Sequence, residues 1–436
     1  MKNSSRVVFN TFTQAASRFL VILASLLTTA LLTRLLGVDG YGDYVFITSF
    51  VLIFIGLSDM GTTTIGVREA SAAKENSSEI FSQVLSLRTV FSLILFGVIN
   101  LLIIFLPQFE GLRFSTFIAS SVIIFLILRT TVQSILQTFL RLDLSSLLEI
   151  YAAIIFLVPI IFLNVLGRSL SLNYLMFFWA FSALVSGLLG LLLSCRFAKL
   201  KFSFDRQKLS QIMIEAFPLG IYLLVYSVYD RGIDSFIIKT LAGSSAVGFY
   251  GLAYKIHGNL ILGAAFLMNS LFPLLSSYKS DFELLKKTYE KAFTVLFLAA
   301  VIILLLGLVA APFVIQIIAG EDFVSSVWTL RLLLGATFFS YLNHLSGYLL
   351  VVLGEQKKLL TFSVLALFLN LILNIILIPL FSFYAAAAVT VLTEMIVLLL
   401  TLGFLNKKYQ LEYSLKTFQN NILVLFSEKH KYFDKL

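Results

Sequence analysis

Residues 34–44 read RLLGVDGYGDY, and residues 240–250 read TLAGSSAVGFY. At an offset of 206 residues, Leu35 falls on Leu241, Gly37 on Gly243, Gly42 on Gly248 and Tyr44 on Tyr250. Each stretch follows the first long apolar run of its own half of the chain. The glycines fit tight turns, because only glycine enters positive φ without steric cost. Six apolar runs precede the polar break KLKFSFDRQKLSQ at 199–211 and six follow it. An even number of crossings returns the chain to the side it started from. The halves are therefore predicted to be parallel repeats about an axis along the membrane normal.

Those runs define the class. The chain of 436 residues is 59% hydrophobic and 13% charged, with a mean hydropathy of +0.98, far from the balance of a soluble domain. A helix crossing the hydrocarbon needs about 20 apolar residues. Runs of that length are predicted at 8–34, 43–65, 81–106, 114–138, 145–166, 172–196, 212–239, 247–274, 292–317, 326–353, 359–380 and 383–405. Barrel strands would be about ten residues long with alternating polarity, which is not the pattern. The expected fold is an all-α integral membrane protein of about 12 transmembrane helices in two six-helix lobes. The lobes are placed at 1–200 and 212–405, joined by a cytoplasmic loop at 201–211 and followed by a basic, amphipathic tail at 406–436.

Orientation follows from Lys and Arg, which concentrate on the cytoplasmic side of short loops. With the N-terminus inside, roughly 22 of them fall inside and about four outside (Arg34, Arg113, Arg168 and Lys239). Both termini are therefore predicted to be cytoplasmic. The net charge of +9 reads as this topology signal beside anionic headgroups, and no basic face interleaved with stacking aromatics points to nucleic acid. The connections at 67–80 and 276–291 are expected to be amphipathic interfacial helices, as is the segment around Phe418, Ile422 and Phe426. The first apolar run is too long for a signal-peptide core and is expected to remain as the first span. One cysteine, Cys195, excludes an internal disulfide, and three scattered histidines give no metal-ligand spacing.

A charge at the centre of a membrane helix costs roughly 2.5–3.5 kcal/mol, so such residues face a bundle interior or water. Arg88, Lys239, Arg331 and Lys255 lie near span ends and are read as snorkelling to the headgroups. Arg18, Asp230, Arg231, His344 and Glu394 lie deeper. Arg231 and Asp234 are spaced to pair within one helix, and Asp230 shares their face. This triad either pins the bundle or lines a hydrated cavity and binds substrate or a cation. Arg18, in TFTQAASRF at 11–19, either meets an anion or pairs with Glu394 or Asp230. His257 and His344 read as core residues or as proton relays. No phosphate loop, HExxH or GxSxG motif occurs, and the outer loops leave no room for a catalytic domain.

The run LTRLLGVDGYGDYVFITSF, then DMGTTTIGVREAS at 59–71 and DSFIIKTLAGSSAVGFYGLAYKI at 234–256, resembles the signature of Wzx-type polysaccharide flippases of the multidrug/oligosaccharidyl-lipid/polysaccharide exporter superfamily. The matching positions are Gly37, Gly42, Tyr44, Asp59, Gly61, Arg68 and Glu69, then Asp234, Gly243, Gly248, Tyr250 and Ala253. Most of them read as structural, with Asp59, Arg68 and Glu69 bracketing an inner connection. The resemblance implies a V-shaped, alternating-access transporter with a cationic cavity. It would carry an undecaprenyl-pyrophosphate-linked oligosaccharide, such as an O-antigen or capsule repeat unit, to the outer leaflet of a bacterial plasma (inner) membrane.

Arg18, Arg129 and Arg231 are the expected cavity arginines by residue type and depth, since no motif covers them; Arg supplies bidentate phosphate contacts at any pH. Tyr226 and Tyr229 offer rings to sugars. Asp230, Asp234, Glu394 and His344 are the candidates for a coupling ion, H+ or Na+, or for ion pairs; no other cofactor and no metal is expected. The expected partners are the lipid-linked oligosaccharide, membrane lipids and polysaccharide polymerase or assembly proteins, with the chain itself a monomer. Two alternatives are a multidrug cation antiporter of the same superfamily, whose cavity should be dominated by carboxylates, and a membrane O-antigen polymerase or ligase, which should carry a large outer loop.

Overall fold

The computed structural model describes residues 2–205, 207, 209–210, 212–217, 220, 233–411 and 419. Among them, nine helices are long and apolar enough to cross a membrane, and no strand occurs. The principal helices are α1 (Lys2–Asp59), α2 (Thr62–Ala72), α3 (Ser77–Phe105), α4 (Arg113–Ser120), α5 (Val122–Thr138), α6 (Leu142–Val165), α7 (Leu172–Ser194), α8 (Ile233–Ser277), α9 (Phe282–Ala319), α10 (Ser326–Leu353) and α11 (Gln356–Tyr409). Three of these are broken by one non-helical residue: Gly37 in α1, Gly243 in α8 and Ser382 in α11. Each break falls between two predicted spans. The nine candidate spans, three of them broken once between two predicted segments, are roughly consistent with the twelve predicted segments, although most of the predicted span 212–239 lies outside the described residues.

The two repeat glycines have nearly the same backbone, φ 65° and ψ −172° at Gly37 and φ 84° and ψ −175° at Gly243. An L side chain rarely adopts this conformation. The sequence match at 206 residues is therefore a match of local structure as well.

The chain forms two compact units, one of residues 1–248 with 317–322 and one of residues 249–316 with 323–436. In the first, α5 packs on α7 and α3, and α6 packs on α1, α5 and α7. Small residues allow the closest approaches. A Cβ on Gly187 would sit 3.3 Å from Phe125 O, and one on Gly190 would sit 3.1 Å from Val132 Cγ1. In the second unit, α10 packs on α11 around a core that includes Leu285, Tyr289, Leu296, Leu345, Leu349 and Leu398. Glu355, between α10 and α11, accepts hydrogen bonds from Lys408 and from the Tyr409 hydroxyl at 2.7 Å. These bonds hold its carboxyl below the usual carboxylate range.

Residues 276–291 differ from the expected separate interfacial helix. They form the end of α8, a short turn and the first turns of α9, because Leu285 and Tyr289 turn into the core of their unit. The expected helix around Phe418, Ile422 and Phe426 lies outside the described residues.

The segment after α7 is strapped to α3. The backbone N–H groups of Lys199, Lys201 and Ser203 donate to the hydroxyls of Ser78, Ser82 and Ser86 at 3.0, 3.0 and 2.8 Å. Four residues of helix rise about 6 Å and two residues of extended chain about 6.6 Å, so the two registers stay in step over three bonds. Ser82 and Ser86 also donate to the carbonyls one turn earlier, leaving the oxygen lone pairs to accept from the strap. Ser82→Ala with Ser86→Ala removes two of these bonds, each worth about 1 kcal/mol. Trypsin cleavage at Lys199 and Lys201 in membrane vesicles should rise severalfold in this variant. An unchanged rate would mean that the strap is held by something else.

Candidate functional site

Helix α6 enters the first unit with Leu148 fully buried and the next residue, Glu149, half-buried beside it. Helix α1 brings Arg18 to that carboxylate, with Arg18 Nε 3.8 Å from Glu149 Oε2. Helix α5 contributes two side chains one turn apart, Arg129 and Gln133. The Gln133 amide donates to Glu149 Oε1 at 3.2 Å. Arg129 Nε is buried and meets no hydrogen-bond partner among the described residues.

Two arginines and one glutamate thus lie in the predicted spans of three helices that pack on one another, leaving an excess of positive charge. The Arg18–Glu149 separation is too long for a hydrogen bond. With the Arg18 side chain 52% exposed, screening keeps this pair near or below about 1 kcal/mol. The pair is weak enough to exchange partners, and the buried Arg129 donor lacks an acceptor.

Of the predicted cavity arginines, Arg18 lies beside Glu149 and Arg129 lies on α5, which packs on α1 and α6. Arg231, with Asp230, Tyr226 and Tyr229, lies outside the described residues. Glu149 was not foreseen, although it stands alone as a carboxylate in the apolar part of the predicted span 145–166. Gln133 carried no signal of its own.

The remaining candidates lie elsewhere. Asp234 is half-buried at the start of α8. In the second unit, Asn343 donates its amide to Glu394 Oε2 at 2.7 Å and to the Glu394 carbonyl at 2.9 Å, while Asn343 Oδ1 is buried without a partner among the described residues. His344 turns its Nδ1 to the Ser340 carbonyl at 2.8 Å on its own helix, and the buried His257 meets Thr337 Oγ1 at 2.8 Å.

Three residues expected to snorkel do not. Arg88 is 1% exposed, with Asp59, Thr62, Thr63 and Thr131 as its partners. Lys239 bonds to Asp43 at 2.6 Å and to Ser244. Arg331 donates to the Leu308 carbonyl at 3.2 Å and lies over the Trp328 ring, 4.7 Å from its centre. In each case a packed neighbour supplies the polar partner that the headgroups would have offered. Lys255 also makes an interaction inside the protein.

The motif residues hold the backbone. Gly61 has φ 77° and caps α2. Gly42 and Gly248 lie against the backbone of Ser244 and Val38. Tyr44 is half-buried, and Tyr250 is fully buried with its hydroxyl 3.5 Å from Thr390 Oγ1. The connection after α1 is bracketed by two separate ion pairs, Asp59 with Arg88 and Arg68 with Glu215, with Glu69 3.9 Å from Arg68.

A family model described as "Polysaccharide biosynthesis protein" matches residues 7–279. A putative O-antigen transporter of Shigella flexneri is 29% identical over 125 residues, 28% of this chain and 30% of that protein. An uncharacterized membrane protein of Methanocaldococcus jannaschii, MJ1068, is 26% identical over 224 residues, 49% of this chain and 42% of that one. The matches thus span less than half the length of either curated relative. Among solved structures, the lipid II flippase MurJ in an inward closed conformation superposes with a TM-score of 0.78 at 14% identity, covering 98% of this chain and 93% of that one. An inward-facing multidrug resistance MATE family transporter of the MOP superfamily gives 0.69 at 16% identity, covering 89% and 94%. These likenesses show a transporter fold.

Proposed function

The chain belongs to the polysaccharide biosynthesis protein family, and from that premise we propose that it moves an undecaprenyl-pyrophosphate-linked oligosaccharide from the inner to the outer leaflet of a bacterial plasma membrane. The observation that carries this reading is Arg18 beside Glu149 on α1 and α6, with the buried Arg129 Nε, without a partner among the described residues, on α5 packed against both. A diphosphate cannot enter hydrocarbon unshielded, and guanidiniums are the side chains best shaped to take it. The polyprenyl tail needs no such help and stays in the bilayer. The relatives point the same way, one being called a putative O-antigen transporter and one fold neighbour a lipid II flippase.

Transport of this kind needs two states whose balance a ligand or ion shifts. Asp234, Glu394 and His344, together with Asp230, are the coupling candidates for H+ or Na+. The Glu394–Asn343 contact supports Glu394 as the one held in a defined geometry. Both termini on the cytoplasmic side, a two-lobe division near 201–211, a monomeric state and cooperation with polysaccharide polymerase or assembly proteins belong to the same reading. A multidrug cation antiporter would call for a carboxylate-rich cavity, whereas the described cluster has two arginines to one glutamate.

The test is translocation of a lipid-linked oligosaccharide in proteoliposomes. The wild-type protein should expose substrate to an enzyme confined to the opposite side. Arg129→Ala should slow this about 10- to 100-fold, the loss of one charge-assisted hydrogen bond of about 1.5–3 kcal/mol. Full activity of the variant would sink the assignment of this site.

A further inference from the structure

We propose that Glu149 is a built-in stand-in for the substrate's diphosphate: it faces Arg18, on a helix packed against that of Arg129, and must give way when the anion arrives. This rests on the flippase reading above and names the residue that sets selectivity within that site. Gln133 meets Oε1 at 3.2 Å and Arg18 faces Oε2 at 3.8 Å, and Arg129 lies one helical turn before Gln133 on α5, which packs on α6. A carboxylate has two oxygens, and here neither guanidinium gets the parallel, bidentate contact that Arg makes with a well-matched anion. The cost falls on Arg129, whose Nε is buried and without an acceptor among the described residues. Buried polar atoms in native proteins find partners, so the geometry points to an acceptor that arrives from outside. A diphosphate diester is ionised on both phosphoryl groups. It can meet Arg18 with one and Arg129 with the other, which Glu149 alone does not do.

Nothing else described competes for the place. On α6 itself, Asp143 is held bidentately by Arg141 at 3.0 and 2.9 Å. Of the helices packed on α6, α7 carries no charged residue, α5 carries only Arg129, and the described charged side chains of α1 other than Arg18 are engaged elsewhere: Arg34 at Ile317 O, Asp39 with Ser245, Asp43 with Lys239 and Asp59 with Arg88. Glu149 keeps an exposed edge, its side chain 29% accessible, through which it can swing clear. A neutral or cationic ligand could not displace it, because it would leave Arg18 without a counter-charge. Glu149 is therefore a positioning and selectivity residue, acting through the Arg18 it faces.

The experiment uses the full-length protein in lipid nanodiscs, with inorganic pyrophosphate and inorganic phosphate as probes and calorimetry as the readout. Glu149→Gln keeps the shape and the contact with Gln133 but removes the competing charge. It should bind pyrophosphate at least tenfold more tightly than wild type, favour pyrophosphate over phosphate, and lose that gain when combined with Arg129→Ala. In proteoliposomes the same variant should lower both the apparent KM for lipid-linked oligosaccharide and the turnover, because release no longer has a competitor; Glu149→Asp should restore turnover in part. A purely structural role would lower thermal stability and leave pyrophosphate affinity unchanged or weaker, and that result overturns the proposal. The underlying flippase reading fails separately. If Glu149→Gln gains pyrophosphate affinity but the wild-type protein moves no lipid-linked oligosaccharide, the anion site stands and the substrate assignment falls.

Discussion

Arg88→Met is expected to lose about 3–5 kcal/mol of stability, the usual cost of leaving one member of a buried ion pair without its partner. Against a typical total of about 5–15 kcal/mol, that is enough to remove most of the folded protein near growth temperature. The guanidinium of Arg88 is almost fully enclosed. It donates from Nε to Thr62 Oγ1 at 2.7 Å, from one terminal nitrogen to Thr131 Oγ1 at 3.1 Å and from the other to Asp59 and Thr63. One side chain on α3 therefore fastens the end of α1, the start of α2 and the middle of α5.

Between Asp59 and Thr62 the chain passes through Met60 and Gly61, both at positive φ. For a non-glycine residue such as Met60 this conformation costs about 1 kcal/mol or more, and the Arg88 network is what holds it. Asp59→Ala should cost as much as Arg88→Met. The double variant should be less damaged than the two losses added together, since neither charge is then left alone. Gel-filtration recovery after heating in detergent measures this directly. A fully additive double variant, or a heat-stable Arg88→Met, would mean that the pair is not a stabilising unit.

Gly42→Ala is the second large effect. A Cβ at Gly42 would stand 1.9 Å from Ser244 O, and one at Gly248 would stand 2.4 Å from Val38 O. Both obstacles are backbone, so no rotamer change relieves them, and the two segments must part by an ångström or more. Overpacking typically costs about 1–3 kcal/mol and more where the backbone must move; Gly42→Ala should therefore lower yield and thermal stability more than Gly248→Ala. Gly97→Ala is the control. A Cβ there meets nothing within 4 Å, and alanine is the better helix former by about 1 kcal/mol, so this variant should be neutral or slightly stabilised.

The contact is also reciprocal. Residue 42 meets 244 and residue 248 meets 38, each pair being the other shifted by the repeat of 206, and Asp39 pairs with Ser245, its own counterpart. That is the pattern of a two-fold contact between repeats.

Much of this architecture is a local property and was legible in the residues. Apolar runs of membrane length mark the helices, because burying backbone polar groups in hydrocarbon admits only helices or closed barrels. Gly37 and Gly243 mark two of the breaks, because their φ is one that other residues rarely adopt. That Arg18 needs a partner or water was legible in the residues, because a charge in a membrane span demands one or the other, and Glu149 lies beside it.

The identity of that partner was not legible. Glu149 comes from a helix 131 positions beyond Arg18 in the chain, and its proximity depends on how α1, α5 and α6 pack. For the same reason Arg88, read as an end residue reaching for headgroups, is instead a buried clamp, and the polar linker after α7 is a strap held by a row of serines on α3. Sequence by itself determined where helices form and where they bend, since hydropathy and backbone sterics act over a few residues. Tertiary structure alone decided which charges meet, since an ion pair depends on distances of a few ångströms between segments far apart in the chain.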